Sequence, residues 1–126
     1  MRLPAPSSRF LYFVGAFLLS LSLPAWAERD ALVDQAAAQL RAKTPSAALD
    51  LLSPHETVRA GDVDFDLALG VAANQTAKYT RAILALERAE KNAPDNARIK
   101  TELATAYFAV RDTQRAKAML VDAKAK

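Results

Sequence analysis

The sequence predicts an all-α protein made of about three helical hairpins stacked into a solenoid. Alanine is abundant, and Gly61 and Gly70 are the only glycines after residue 27. No run of alternating β-branched residues is present, so the pattern favours helices over strands. Apolar residues also recur at a fixed interval along the sequence. This interval equals the distance in residues from Leu69 to Leu103, and we call it the repeat period. A hairpin that cannot bury its apolar face alone stacks on a copy of itself.

Residues 1–27 have the pattern of a secretory signal peptide. Arg2 and Arg9 form a positive leader, and the apolar run 10–23 has 14 residues. A membrane-spanning helix needs roughly 17–25 residues, so an uncleaved anchor is the weaker alternative. Ala25 and Ala27 fit the small-residue motif of signal peptidase. We therefore expect cleavage after Ala27 and no stable membrane span in the mature chain.

The mature chain, 28–126, is long enough for one domain with a modest core. The sequence contains no cysteine, which excludes disulfides and the attachment residue of a bacterial lipoprotein. A periplasmic, non-lipidated protein is expected. The net charge of +3 falls to +1 once Arg2 and Arg9 are removed, because 14 Asp plus Glu then balance all but one of the remaining Lys plus Arg. Without a basic stripe, nucleic-acid binding is not predicted.

Prolines, glycines and capping residues mark the helix boundaries in order. Thr44-Pro45 predicts an N-cap and first helical position, and Ser53-Pro54-His55-Glu56 fits a capping box. In Ala60-Gly61-Asp62 the glycine is expected to end one helix and the aspartate to begin the next. The segment Ala93-Pro94-Asp95-Asn96 is likewise expected to end one helix and cap the next. These breaks predict helices over 29–42, 45–53, 63–76, 79–92, 96–110 and 113–124. They pair into hairpins 29–53, 63–92 and 96–124.

The second and third hairpins share one register, offset by the repeat period. The matched pairs are Phe65 and Ile99, Leu69 and Leu103, Gly70 and Ala104, Ala82 and Ala116, Leu86 and Leu120, and Ala89 and Ala123. Small residues in this set allow two helices to approach closely, while Leu86 and Leu120 are expected to fill the space between them. The first hairpin is degenerate, because Ala36-Ala37 and Leu40 fit one register and Ala48 and Leu52 fit another, offset by one residue. A shortened loop at 43–46 would explain the offset.

This pattern resembles the tetratricopeptide repeat (TPR) family over essentially all of 29–124. The second hairpin carries the family's residues as Leu69-Gly70, Ala82, Leu86, Ala89 and Pro94, and the third as Leu103-Ala104, Tyr107, Ala116, Leu120 and Ala123. Three kinds of departure occur: Asp66 and Lys100 stand at the tryptophan position, Ala73 at the tyrosine position, and Ala77 and Arg111 at the inter-helix glycine. The resemblance implies a TPR domain over 28–126.

A narrower resemblance links residues 61–120 to the periplasmic TPR segment of surface lipoprotein assembly modifier proteins. It rests on Gly61-Asp62, Phe65-Asp66, the run 83–88 (ILALER) and the run 102–108 (ELATAYF). In that family the segment precedes a β-barrel. The resemblance covers the helical segment and not the β-barrel.

No catalytic or cofactor-binding motif is recognised in the sequence. Asp62, Asp64 and Asp66 begin like a calcium loop, but Leu67 and Ala73 occupy the positions of its glycine and glutamate. We interpret these aspartates as an N-cap and first-turn acids that complement the helix dipole. His55 is the only histidine, so an ordinary zinc site cannot form. We therefore expect no enzymatic activity, no metal and no cofactor.

The resemblance implies that the first helix of each hairpin lines a concave groove that binds protein partners. The expected groove residues are Leu67, Val71, Asn74, Gln75, Arg98, Thr101, Glu102, Thr105 and Phe108. Such a mixed surface, with Phe108 as an apolar anchor, suits an extended peptide or a partner helix. Solvated surface without a partner is the competing interpretation.

An open edge is expected at the last helix, where Ala118, Met119 and Val121 lack the polar capping helix that usually ends such an array. Self-association or another protein could cover it. The leading hypothesis is a non-enzymatic periplasmic TPR adaptor that mediates protein-protein interaction in outer-membrane or envelope assembly. The alternative is an orphan or truncated TPR segment of a barrel-containing outer-membrane transporter, with a structural role.

Overall fold

The structure, a computed structural model, describes residues 25–125, with side chains from residue 31 onward. Within this range the chain is helical and contains no strand. The helices are α1 (Ala25–Arg41), α2 (Pro45–Leu52), α3 (Glu56–Arg59), α4 (Val63–Gln75), α5 (Tyr79–Asn92), α6 (Ala97–Ala109) and α7 (Thr113–Lys124), with a 3-10 turn over Ser53–His55. The predicted all-α fold is confirmed. Apart from the start of α1, each boundary of the six long helices lies within one residue of its predicted position.

Residues 1–24 of the predicted signal peptide lie outside the described range. None of the helices in the part of the chain that is described combines the length and apolar character needed to cross a membrane.

Three loops of identical length and geometry join α1 to α2, α4 to α5 and α6 to α7. Their central residues, Lys43, Ala77 and Arg111, have φ values of 60°, 59° and 66°. The amide of the residue after each one donates to a carbonyl five residues earlier, at 2.9, 2.8 and 2.8 Å. This is the Schellman arrangement that ends a helix with a left-handed residue. Successive loops are separated by one repeat period.

The predicted one-residue offset of the first hairpin is therefore wrong. Its loop, 42–44, has the same three residues as 76–78 and 110–112. Ala36, Ala48 and Leu52 are fully buried, and each lies one repeat period before Gly70, Ala82 or Leu86. All three hairpins thus follow one register.

Pro54 shortens the second helix of the first hairpin. A proline inside a helix lacks an amide donor and clashes with the preceding turn, and here α2 gives way to the 3-10 turn and the short α3. The predicted capping box at 53–56 is wrong. The Ser53 hydroxyl donates to the Leu49 carbonyl at 2.6 Å, and the Glu56 carboxylate accepts from Arg81 and Arg88 instead.

Capping side chains begin the later helices as the sequence predicts. The Asp62 carboxylate accepts from the Phe65 amide, and the Asn96 amide oxygen accepts from the amides of Arg98 and Ile99. Thr44 precedes Pro45 at the first position of α2, but its hydroxyl donates back to the Gln39 carbonyl in the last turn of α1 and does not cap α2.

Each hairpin packs on the next through its first helix. Helix α4 contacts α1, α2, α5 and α6, and α6 contacts α4, α5 and α7. The core contains Leu52, Phe65, Leu69, Leu86, Ile99 and Leu103, all fully buried. Gly70 lies so close to Leu86 that an added Cβ would overlap the Leu86 side chain. An alanine at position 70 would therefore require the Leu86 side chain to shift.

Candidate functional site

A cleft runs along the first helices of the three hairpins, and we call it the lateral cleft. Its volume is about 490 Å³. Its lining comes from α1, the segment before α4, α4 itself and the start of α6: Val33, Asp34, Ala37, Leu40, Arg59, Asp62, Asp64, Leu67, Ala68, Val71 and Arg98. The aliphatic residues are buried or half-buried and form an apolar floor. The charged residues form the rim.

Some charged side chains on the rim of the lateral cleft form ion pairs with described residues, and others do not. Arg59 Nη2 lies 2.7 Å from Asp62 Oδ2, and its guanidinium stacks 5.0 Å from the Phe65 ring centre. Burial opposes ionisation of Asp62, but the hydrogen bonds from Arg59 and the Phe65 amide outweigh it and lower the pKa of that carboxyl. Asp34 and Asp64 are exposed and form no ion pair with any residue that the structure describes. These two carboxylates can meet a ligand.

A second cleft, the terminal cleft, lies between α6 and α7. Its volume is about 410 Å³, and it is lined by Thr101, Ala104, Thr105, Phe108, Thr113, Ala116, Lys117 and Leu120. Phe108 is 69% exposed and Leu120 is 45% exposed. An apolar strip of the third hairpin is therefore open to solvent.

The structure divides the expected groove residues between these two clefts. Leu67, Val71 and Arg98 line the lateral cleft, whereas Thr101, Thr105 and Phe108 line the terminal cleft. Asn74 and Glu102 lie between the two, where the Asn74 amide donates to the Glu102 carbonyl at 3.0 Å and to its carboxylate at 3.1 Å. This contact joins α4 to α6. Gln75 is exposed and lines neither cleft.

The expected edge residues also lie outside the terminal cleft. Ala118 and Val121 are exposed, whereas Met119 is half-buried and packs against the core. The open strip contains Leu120 instead. The expectation that Leu120 fills the space between helices, as the fully buried Leu86 does, is wrong. No helix of the described chain covers the third hairpin as α6 covers the second.

Two buried charges are the main feature that the sequence interpretation missed. Asp66 is fully buried, and its carboxylate accepts from Arg88 at 2.9 Å and from the Gly61 amide at 2.8 Å. Lys100 is 3% exposed and pairs with Asp122. Each pair joins two residues that are 22 positions apart in the sequence. The two pairs are separated from each other by one repeat period. The first position is acidic in one pair and basic in the other, and the second position is the reverse. Asp66 is therefore more than a first-turn acid.

The sequence did carry a signal for these pairs. Asp66 and Lys100 stand where the TPR pattern has a large aromatic residue, so a charge at that position is buried and needs a partner. An opposite charge, Arg88 or Asp122, follows at the same interval in both hairpins.

A wider charged network surrounds Arg88. Glu56 accepts from Arg81 at 2.8 Å and from Arg88 at 3.1 Å, and Arg81 also donates to the Ser53 hydroxyl at 3.0 Å. Burial opposes ionisation of Glu56, but these arginines outweigh it and lower the pKa of the carboxyl below its ordinary value. The network holds the irregular segment 53–62 against the second hairpin.

Among the described residues, no side-chain hydrogen bond or ion pair involves His55. This histidine is exposed at the end of the 3-10 turn. Tyr107 has a raised pKa of about 12 because it is buried and donates to Glu87 at 2.6 Å, and Arg115 lies 4.8 Å above its ring. Among the residues described, no three His, Asp or Glu side chains cluster in a way that could hold a metal ion.

A comparison of the chain with models of known protein families and with curated proteins finds no match.

Proposed function

We propose that this chain is a non-enzymatic TPR adaptor that binds a segment of another protein in the lateral cleft. Support for the TPR assignment comes from the three left-handed loops spaced by the repeat period, each with the same hydrogen bonds. Repeats of one supersecondary unit at a fixed period are typical of solenoid arrays, which use their extended faces for binding.

The apolar floor and charged rim of the lateral cleft are the observation that carries the binding proposal. Leu67 and Leu40 remain half-exposed there, although neighbouring positions of α4 are buried. Asp34 and Asp64, which form no ion pair with a described residue, flank this floor, and the exposed Arg98 of α6 lies on its other side. Apolar contacts would supply affinity, and the charges would fix the direction of the bound segment.

The chemistry of the rim defines the proposed ligand. A peptide with one or two large apolar side chains would fill the floor, and a Lys or Arg would meet Asp34 and Asp64. Peptide grooves on helical proteins are commonly filled by such anchors. The proposed location is the periplasm, because the sequence starts with a signal-peptide pattern and contains no cysteine.

Site-specific cross-linking in cells tests the binding proposal. A photo-reactive amino acid at position 67 should capture a discrete partner protein. The same residue at position 84 should not, because Leu84 is 56% exposed and lines neither cleft. Equal capture at both positions, or none at position 67, would contradict the proposal.

Charge reversal then tests whether the carboxylates on the rim of the lateral cleft contribute to binding. We expect Asp34→Lys with Asp64→Lys to remove the position-67 cross-link. Asp50→Lys with Asp95→Lys is the matched control, since both residues are exposed and lie outside the cleft. If the control weakens capture as much as the double variant, the effect is one of net charge and the proposed rim is not the determinant.

A further inference from the structure

The terminal cleft repeats a surface that is covered elsewhere in the same chain. Leu120 and Ala116 lie one repeat period after Leu86 and Ala82, which are fully buried. Ala104 corresponds in the same way to Gly70. In the second hairpin this surface is covered by α6, which contacts both α4 and α5. The third hairpin presents the equivalent surface without a covering helix among the described residues.

The helix α6 shows what fits such a surface. Its buried large residues, Ile99, Leu103 and Tyr107, are spaced by four and share one face. Polar side chains at the margin add directed contacts to the second hairpin, from Tyr107 to Glu87 and between Glu102 and Asn74. The matching ligand is therefore one amphipathic helix with large apolar residues at i, i+4 and i+8.

The covered surface of the second hairpin and the terminal cleft of the third differ in ways that favour a ligand from outside this domain. Four apolar or aromatic residues of the second hairpin are replaced by polar ones in the third, one repeat period later. The second hairpin has Leu67, Val71, Tyr79 and Ile83, and the third has Thr101, Thr105, Thr113 and Lys117. The centre around Leu120 and Phe108 stays apolar while its rim is polar. This combination is typical of an interface that also exists uncovered.

Lys117 adds a charge requirement. It is exposed in the terminal cleft and forms no ion pair within the described residues. A ligand helix with an acidic residue beside its apolar stripe complements this ammonium group.

A second copy of this chain is a poor match for the cleft. Placed head to tail, its α1 would present Ala31, Gln35 and Gln39, which lie two repeat periods before Ile99, Leu103 and Tyr107. Gln35 is exposed and Gln39 half-buried, so this face of α1 lacks the large apolar residues that α6 presents at the equivalent positions.

We propose that the terminal cleft binds an amphipathic, acidic α-helix of a different protein, seated on α6 and α7 as α6 is seated on α4 and α5. This site is separate from the lateral cleft and does not depend on the function proposed there.

A synthetic peptide provides the probe. It copies residues 96–110, which include the face of α6 that covers the second hairpin, with Arg98→Glu and Lys100→Glu, because the native segment is net positive. The matched control peptide carries Leu103→Asp in addition. Fluorescence anisotropy with the full mature chain should show at least tenfold tighter binding of the first peptide. Binding of both peptides with equal affinity, or of neither, would overturn the proposal.

Variants of the protein locate the site. Phe108→Ala with Leu120→Ala should weaken binding of the peptide at least tenfold, and Lys117→Glu should weaken it further at low salt. Leu84→Ala is the matched control, and circular dichroism confirms that each variant is folded. Asp34→Lys with Asp64→Lys should leave this affinity unchanged, which separates the two clefts. A double variant that binds normally would contradict the assignment.

The oligomeric state tests whether a second copy of this chain occupies the terminal cleft. Light scattering after size exclusion should show a monomer at micromolar concentration. A dimer that Leu120→Ala converts to a monomer would assign the cleft to self-association and overturn the proposal.

Discussion

Glu56 shows at the scale of single residues how a partly buried carboxylate can be favoured by its surroundings. Its burial alone would raise the pKa, yet Arg81 and Arg88 reverse the direction. A carboxyl with a lowered pKa stabilises the fold at every pH above its unfolded value and loses that contribution as the pH falls through the folded value.

Acid unfolding should therefore depend on Glu56. The ordinary pKa of this carboxyl is 4.5, so stability should decline as the pH falls below about 4.5, and Glu56→Gln should make this decline shallower. Denaturant midpoints between pH 6 and roughly pH 3 measure it. Glu90→Gln is the control, because Glu90 has no ion pair among the residues described. An unchanged slope in Glu56→Gln would show that the network contributes nothing to acid stability.

The Lys100 and Asp122 pair offers a second test at this scale. Lys100→Asp should destabilise the protein by about 3 kcal/mol, because it leaves a buried carboxylate facing another. Adding Asp122→Arg copies the Asp66 and Arg88 arrangement and should recover most of the loss. Chemical denaturation of the two single variants and the double variant gives the coupling. A double variant no more stable than the Lys100→Asp protein would show that the two positions are not equivalent.

At the scale of helices and loops, the three left-handed residues are points of local strain. A residue with a Cβ is disfavoured by about 1 kcal/mol in this conformation relative to glycine, and Lys43, Ala77 and Arg111 all adopt it. The TPR pattern places glycine at two of these positions.

Glycine at these loops should stabilise the chain. We expect Ala77→Gly and Arg111→Gly each to raise the free energy of unfolding by roughly 0.5–1 kcal/mol, after the entropy lost by the unfolded chain is included. Ala47→Gly, inside α2 and exposed, should instead lower it by about 1 kcal/mol. If all three changes have the same sign in thermal unfolding, loop strain is not the controlling factor.

The contact between Gly70 and Leu86 is the corresponding test for helix packing. Gly70→Ala should destabilise by about 1–3 kcal/mol, because the new methyl group overlaps a buried leucine. In a Leu86→Ala background the same change should be neutral or stabilising, since the overlap is gone and alanine favours the helix. Urea titration of the four proteins separates the two effects.

Local patterns explain why so much of the helical structure could be predicted from the sequence. Asp62 and Asn96 act through hydrogen bonds to amides three residues away, so their roles can be inferred without the fold. The partners of Glu56 lie 25 and 32 residues away, and the capping box predicted there was wrong. The division of the groove residues into two clefts depends on how α6 and α7 sit together, which periodicity alone does not specify.

At the scale of the whole molecule, the two ends of the array differ in character. The exposed face of α1 carries Gln35, while the last hairpin exposes Phe108 and Leu120. The described parts of the first and last hairpins therefore present different chemistry to solvent.

Export is the prediction that concerns the whole chain. The mature protein should begin at Glu28, because Ala25 and Ala27 fit the pockets of signal peptidase. Mass spectrometry of the protein from an envelope fraction checks this, with an Ala27→Arg variant as the control that should remain uncleaved. Recovery of the wild-type protein with Met1 intact would contradict periplasmic release.

The exchanged charges of the Asp66–Arg88 and Lys100–Asp122 pairs would also disfavour assembly errors between hairpins that share one apolar pattern. Similar repeats can swap their helices during folding or between neighbouring molecules. If α4 paired with α7, Asp66 would face Asp122, and if α6 paired with α5, Lys100 would face Arg88. Each mismatch places a like charge beside a buried one, Asp66 or Lys100, where repulsion and desolvation act together. We therefore expect these charges to disfavour an exchange of helices between the second and third hairpins, although their apolar faces follow the same pattern.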